Sequence, residues 1–278
     1  MKNPVITFLF VLLFINILTA QDVDVMSYNI KYDNVNDTVN NWNGRKQAVV
    51  DLINHYEPEF IGMQEVLYGQ LKYLIDNLIN YKYIGAGRDD GKLKGEFSPI
   101  LYDVSKYELL KSKTFWLSET SDKISIGWDA VIARICTYGL FKNRITKQKL
   151  YIFNTHFDHI GKIAREKSAI LIAKKISELN TDNFPVVLMG DLNLTPDETP
   201  IQYLQRVYSD GQAITERPFY GPKGTFNGFD PNMDVDKRID YIFTKNLNVK
   251  SYIHIDDRME NNKHISDHLP VFSRVSRL

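Results

Sequence analysis

The 278-residue chain is 44% hydrophobic and 24% charged, with 34 basic and 34 acidic residues. That composition excludes a disordered or low-complexity chain and supplies the apolar material for a substantial core, at a length routine for one α/β domain. It also excludes the bulk basic excess that drives non-specific nucleic-acid binding, so any such contact must come from a local patch.

Lys2, an apolar run from Val5 to Leu18 and the small pair Thr19-Ala20 before Gln21-Asp22 predict an export signal over residues 1–20 and a mature domain over 21–278, secreted or periplasmic. The run falls short of the roughly 20 residues that span a bilayer, and an uncleaved anchor is the alternative. No cysteine follows it to carry a lipid. Removing this leader takes away Lys2 and no acid, leaving a net charge of −1. The lone Cys136 has no intramolecular partner and sits in an apolar run, so it reads as a buried, inert thiol.

Strands are predicted at Val23 to Ile30, Phe60 to Glu65, Ser98 to Tyr102, Arg134 to Phe141, Leu150 to Thr155, Val186 to Met189, Ile239 to Phe243, Val249 to His254 and Pro270 to Ser273. Helical spacing runs through Arg45 to Tyr56, Leu71 to Leu78 and Lys162 to Leu179. In the last of these, Ile163, Ile170, Leu171, Lys174 and Ile176 mark the expected face. The stretch from Asp103 to Ile135 gives no clear pattern. Asn34 to Asn43 and Phe219 to Asp236, rich in Asn, Gly, Pro and Asp, read as surface loops.

The polar residues gather at strand edges. Asn29 ends the first strand and Gln64-Glu65 the second. Thr155-His156-Phe157-Asp158 and Gly190-Asp191-Leu192-Asn193 follow two more. Arg238 and Asp240 open a fifth, and Ser266-Asp267-His268 precede the last. Strand ends converge on one cleft in many α/β folds, which is how such scattered groups make one site.

With Ser27-Tyr28-Asn29-Ile30, Gln64-Glu65-Val66, Thr155-His156, Gly190-Asp191-Leu192-Asn193, Arg238-Ile239-Asp240-Tyr241 and Ser266-Asp267-His268 in this order, the mature chain resembles the endonuclease/exonuclease/phosphatase superfamily with the DNase I-like fold. Each segment alone is weak; the ordered set is specific. The resemblance implies a four-layer α/β/β/α sandwich, two packed mixed β-sheets flanked by helices, and phosphate-ester hydrolysis at Mg²⁺ or Mn²⁺.

It further implies Glu65 as principal metal ligand with Asn29 and Asp267, oxygen donors suited to a hard cation. His268 resembles the catalytic histidine, oriented by Asp240. Asp191 would align and deprotonate water, and Asn193 would donate to the transition state. His156 resembles the second histidine of the DNase I and sphingomyelinase branches, and Glu96 matches the glutamate that orients it, so a Glu96–His156 pair is expected. Substrate-binding candidates are Lys31, Arg45, Arg134 and Arg165. Arg45 has a competing reading, with Trp42, as a clamp on the preceding loop, and Asp158 as a support for its own.

Leu67-Tyr68 follow Val66 where duplex-nicking relatives have an arginine, which counts against duplex nicking. The hairpin around Lys142 to Lys149 is basic and polar, so membrane binding lacks support. The function expected is a secreted metal-dependent phosphodiesterase, foremost nuclease-like. Alternatives are a phospholipid, sphingomyelin or inositol-phosphate hydrolase, and a non-catalytic binding module. No obligate protein partner is evident beyond the phosphodiester substrate.

Overall fold

The structure, a computed structural model, describes residues 22–278; the expected export signal lies outside them. Two six-stranded sheets pack face to face. The first comprises β1 (Val23–Asn29), β2 (Phe60–Gln64), β3 (Tyr81–Ile84), β4 (Ile100–Asp103), β11 (Leu247–His254) and β12 (Val271–Arg277), in the order β11-β12-β1-β2-β4-β3. The second comprises β5 (Tyr107–Trp116), β6 (Ile135–Asn143), β7 (Lys149–His156), β8 (Val186–Asp191), β9 (Ser209–Asp210) and β10 (Asp240–Lys245), in the order β5-β6-β7-β8-β10-β9. Each sheet is mixed, with one parallel pair near its centre: β1 with β2, and β7 with β8.

Strand alternation explains the layering. Along β8, Val187 and Met189 enter the core between the sheets, while Val186 and Leu188 join the core on the outer face. That outer core is covered by α3 (Lys162–Leu179) and α4 (Thr199–Val207), which supply Ile172, Ile176, Ile201 and Leu204. On the other side, α1 (Lys46–Tyr56) and α2 (Tyr68–Asn77) bring Val49, Ile53, Leu71 and Leu74 against Met26 and Ile61. The short α5 (Gly211–Ile214) follows β9. Strands buried on both faces read as continuous apolar runs, and that is what made them legible. The expected α/β/β/α sandwich is the fold observed.

A polar bridge crosses between the sheets at Asn154. The Asn154 amide on β7 donates to the carbonyls of Met63 (2.7 Å) and Pro99 (2.8 Å), and its oxygen accepts from Gln64 (2.7 Å). Gly62 makes room for it, since a Cβ there would stand 2.7 Å from Asn154.

Two expectations need correction. α3 spans the predicted residues, but Ile163 and Ile170 are exposed; Ala164, Arg165, Ser168, Ala169, Ile172, Ala173 and Ile176 face inward. A face built on small residues lets the helix lie close to the sheet, so the large aliphatic side chains were a poor guide. The unpatterned stretch after Asp103 contains β5, an edge strand with Lys111, Ser112 and Lys113 exposed. Cys136 is fully buried as expected, and burial pushes its thiol up, out of the reactive range.

Candidate active site

Strand register assembles the second sheet's contribution. Parallel pairing sets His156 opposite Asp191, and antiparallel pairing sets Asp240 opposite Asp191, so the three stand in a row across one end of three neighbouring strands. Gly190 permits this: it has φ +152°, and a Cβ would lie 2.0 Å from the Thr155 carbonyl oxygen. Only glycine fits so close an approach. In the first sheet Asn29 pairs with Gln64, which places Glu65 beside Asn29. The Ser266-Asp267-His268 segment is tied to that sheet by the Ser266 hydroxyl, which donates to the Asn29 carbonyl (2.8 Å). The Asn227 and Gly228 amides donate to the Asp267 carbonyl from above.

The centre is a buried charge system. His268 Nδ1 lies 2.9 Å from Asp240 Oδ2, and its Nε2 lies 3.8 Å from Asp191 Oδ2. The second distance is too long for a hydrogen bond but short enough for charge to be felt. Burial alone would lower the pKa of His268, but the Asp240 and Asp191 carboxylates outweigh it and raise it to about 10. Burial, reinforced by repulsion from Asp240, lifts Asp191 to about 7 against the attraction of His268. Asp191 is further held by hydrogen bonds from the Asn29 amide (3.0 Å) and the Asn193 backbone (2.9 Å). Near neutral pH this is a base beside an imidazolium, the pairing that proton transfer requires.

Glu65 and Asp267 face a common point from two segments. Lys31 Nζ stands 3.4 Å from Glu65 Oε2 and 3.3 Å from Asp267 Oδ2. Burial works against ionisation of Glu65, but Lys31 and His268 beside it, with hydrogen bonds from Asn29 and Tyr32, hold its carboxyl below the ordinary range. Two anionic oxygens converging on one cation position are the donor set a hard divalent ion takes, so these residues fit a metal. A second group, Asp191, Asp240 and His268, also offers ligand atoms within 4.8 Å of one another. There the Asp240–His268 hydrogen bond already engages two of the donors, and Glu65 with Asp267 is the better cation site.

Asn29 departs from its expected role. Its amide nitrogen, not its oxygen, faces the carboxylates, donating to Glu65 (3.1 Å) and Asp191 (3.0 Å), while its oxygen accepts from the Lys31 backbone (3.1 Å). In this arrangement it positions both acids through its nitrogen.

His156 is held neutral: burial first, then repulsion from Arg134 and His268, push it well below its ordinary value. Its Nε2 faces the Asn193 amide at 3.1 Å, and that amide also donates to the Phe157 carbonyl (3.1 Å). A neutral ring accepting at Nε2 orients Asn193, and the amide hydrogens of Asn193 are thereby engaged. The expected Glu96–His156 pair is not formed. Glu96 instead takes both arms of Arg88, at 2.8 Å each, because the loop from Arg88 to Glu96 folds back on itself through Arg88 N to Glu96 O. A planar guanidinium matches a carboxylate better than an imidazole does.

Of the cationic candidates, Lys31 and Arg134 line the cleft. Arg134 contacts His159 Nδ1 (3.1 Å) and lies 3.7 Å from Asp158. Asp158 itself accepts from the Val131, Ile160 and Gly161 amides, supporting its loop. Arg165 is buried on α3 and donates to the Asp158 carbonyl (3.2 Å), away from the cleft lining. Arg45 is also not a substrate ligand. Only 2% exposed, it donates to the carbonyls of Asn40 (2.9 Å), Lys31 (2.7 Å) and Ile30, and stacks near Trp42. It is the loop clamp. Arg45→Ala is expected to lower the free energy of unfolding by about 2–4 kcal/mol by orphaning those carbonyls. Urea unfolding checks this, and a loss under about 0.5 kcal/mol would return Arg45 to a solvated role.

The cleft measures about 660 Å³ and is also lined by Tyr32, His159, Thr195, Glu198, Phe226 and Lys237, none of which the sequence singled out as a site residue. Phe226 had a signal, as one aromatic of the loop at Phe219 to Asp236; it meets the His268 ring edge-on at 5.2 Å. Three residues of the site, Lys31 (φ +55°), Glu65 (φ +59°) and Asn193 (φ +51°), are left-handed. Such strain in residues other than glycine concentrates at functional sites.

Residues 26–268 match the model of the endonuclease/exonuclease/phosphatase family. Among solved structures, the chain is similar to an endonuclease/exonuclease/phosphatase from Bacteroides vulgatus, at 38% identity and TM-score 0.88, covering 93% of this chain and 100% of that one. It is also similar to a mannosyl-6-phosphatase from Bacteroides thetaiotaomicron, at 37% identity and TM-score 0.87, covering 91% and 99%. A probable RNA exonuclease of Saccharomyces cerevisiae is 28% identical over 193 residues, covering 64% of this chain and 35% of that protein's length. With the strand-end acids, the Asp240–His268 pair and the matched segment in agreement, the chain belongs to the endonuclease/exonuclease/phosphatase family.

Proposed function

We propose that this protein removes phosphate from a monoester of a polyhydroxylated alcohol, a sugar phosphate by class, after export from the cytoplasm. The observation that carries this is the distribution of charge in the cleft. His268 and Arg134 are buried at its base and Lys31 is half-buried, whereas Glu96 and Glu198 stand half-buried along the walls. A terminal phosphate dianion suits the donors His268, Arg134 and Lys31, with a divalent ion at Glu65 and Asp267 offsetting the acids beside them. Hydroxyl groups suit the walls, because Glu96, paired with Arg88, and Glu198, held by the Thr195 amide, keep lone pairs for further donors. A polynucleotide carries a charge at every phosphate and would run its neighbouring phosphates past those carboxylates. The likeness to the mannosyl-6-phosphatase favours the same reading.

In this reading Asp191, ionised, accepts the proton of the attacking water. Protonated His268, fixed by Asp240, presents Nε2–H to a phosphoryl oxygen, with Arg134 and Lys31 as further donors to developing charge. A divalent cation held by Glu65 and Asp267 would supply further positive charge to the phosphoryl oxygens. His156 and Asn29 keep the acids and Asn193 aligned.

The second reading is the nuclease-like phosphodiesterase, supported by the likeness to the probable RNA exonuclease. Purified protein with Mg²⁺ or Mn²⁺ distinguishes them on mannose 6-phosphate, p-nitrophenyl phosphate, its bis-ester, sphingomyelin, RNA and single- and double-stranded DNA. Monoester kcat/KM at least about 100-fold above the bis-ester and RNA supports the first; RNA cleavage without monoester turnover decides for the second. Cell fractionation with N-terminal sequencing of the mature chain tests export. Among the described residues no helix is long and apolar enough to cross a membrane.

A further inference from the structure

Lys31 is pinned as loop lysines seldom are. Its left-handed backbone donates to Asn29 Oδ1 (3.1 Å), and its carbonyl accepts from Arg45 (2.7 Å) and Gln70 (2.9 Å). This fixes where the side chain starts, while its end stays loose. The Nζ distances of 3.3 and 3.4 Å to Asp267 and Glu65 exceed those of committed charge-assisted hydrogen bonds. The lysine side chain is 30% exposed, against 13% for Glu65 and 8% for Asp267. Two nearly buried carboxylates thus share one cation that has a path to solvent. The Tyr32 ring flanks that cation in the same side-chain position, its centroid 5.0 Å from Nζ.

Accepting Glu65 and Asp267 as the cation site, we infer that Lys31 is its exchangeable counter-ion. The ammonium neutralises the carboxylate pair until a divalent ion takes the position, and is then free to meet an anionic substrate oxygen in the same cleft. Buried carboxylates left without a cation are costly, so a built-in ammonium stabilises the metal-free protein. An ammonium kept beside a dication is repelled, so the exchange weakens metal binding and ties it to arrival of an anion.

The test is calorimetric titration of Mg²⁺ and Mn²⁺ into the protein without substrate, with melting curves in chelator and in excess ion. Lys31→Met is expected to bind the ion about tenfold more tightly than wild type, to melt lower in chelator, and to gain more from added ion. Lys31→Arg, which keeps the charge, should titrate close to wild type. Equal or weaker ion binding by Lys31→Met overturns the inference. A Lys31→Met protein that folds only with ion supports it, and one that fails to fold either way makes Lys31 a structural residue and also overturns it. No ion uptake by wild type, with Glu65→Gln indistinguishable from it, removes the cation site itself and the exchange with it. Ion uptake with the expected Lys31 effect, but no turnover of sugar phosphates, leaves the exchange standing and refutes only the substrate reading.

Discussion

Asp191→Asn is expected to reduce kcat on any phosphate ester by about 10³-fold or more, the scale of a lost general base, without lowering the melting temperature at pH 8. The two halves of that result come from the same burial. Asp191 is 1% exposed and lifted to about 7, so at pH 8 the folded protein holds a charge that its surroundings oppose. For a carboxyl raised in this way, its contribution to stability is fully present below the unfolded value near 3.9 and is lost as pH rises through the folded value. Asparagine removes that penalty and keeps one of the two oxygens, which retains the bond from the Asn193 backbone and gives up the one from the Asn29 amide. An ordinary structural aspartate would show the reverse: little change in rate and a lower melting point. Steady-state kinetics beside thermal melts at pH 5 and pH 8 decide between them.

The next largest effect is expected from Asp240→Asn, and its signature is a displaced pH profile as well as a slower rate. Asp240 adds to the burial that lifts Asp191 to about 7 and, with Asp191, raises His268 to about 10 against its burial. With Asp191 ionised and His268 protonated as the active form, kcat/KM in wild type should be bell-shaped between those values. Removing the Asp240 charge lowers both, so both limbs move to lower pH. At pH 8, burial then favours neutral His268, and the rate should fall about 100-fold. His268→Gln behaves differently: loss of the imidazolium raises Asp191, so the acid limb moves up, and the alkaline limb disappears. A profile unmoved by Asp240→Asn would reduce Asp240 to a packing residue.

Why the site was largely legible in the sequence follows from where its residues sit. Asn29, Glu65, His156, Asp191 and Asp240 all lie at the ends of strands buried on both faces, and a polar group closing an apolar run is conspicuous. Side-chain partnerships were less legible. Glu96 was matched to His156 alone, and its pairing with Arg88 instead depends on a loop folding back on itself, which no spacing rule reveals. Arg45 carries the look of a ligand because its consumers are backbone carbonyls, and carbonyls are the same in every residue. The orientation of the Asn29 amide is likewise set by the Lys31 backbone. In the fold, β3 and β5 went unread because most of their residues are half-buried or exposed and leave no apolar run, and α4 because Thr199-Pro200 resembles the loop before it.

The Asn154 bridge bears on more than core packing. Asn29, Glu65 and Asp267 hang from one sheet and His156, Asp191 and Asp240 from the other, so the catalytic groups belong to two separate plates. Aliphatic contacts have no direction, and plates held by them alone could slip along one another by fractions of an ångström at little cost. Three directional hydrogen bonds from one side chain allow a single setting. Asn154 therefore acts as a dowel between the plates, fixing their phase from within the interior, and the Asn29–Asp191 spacing is an alignment that the core machines for the surface.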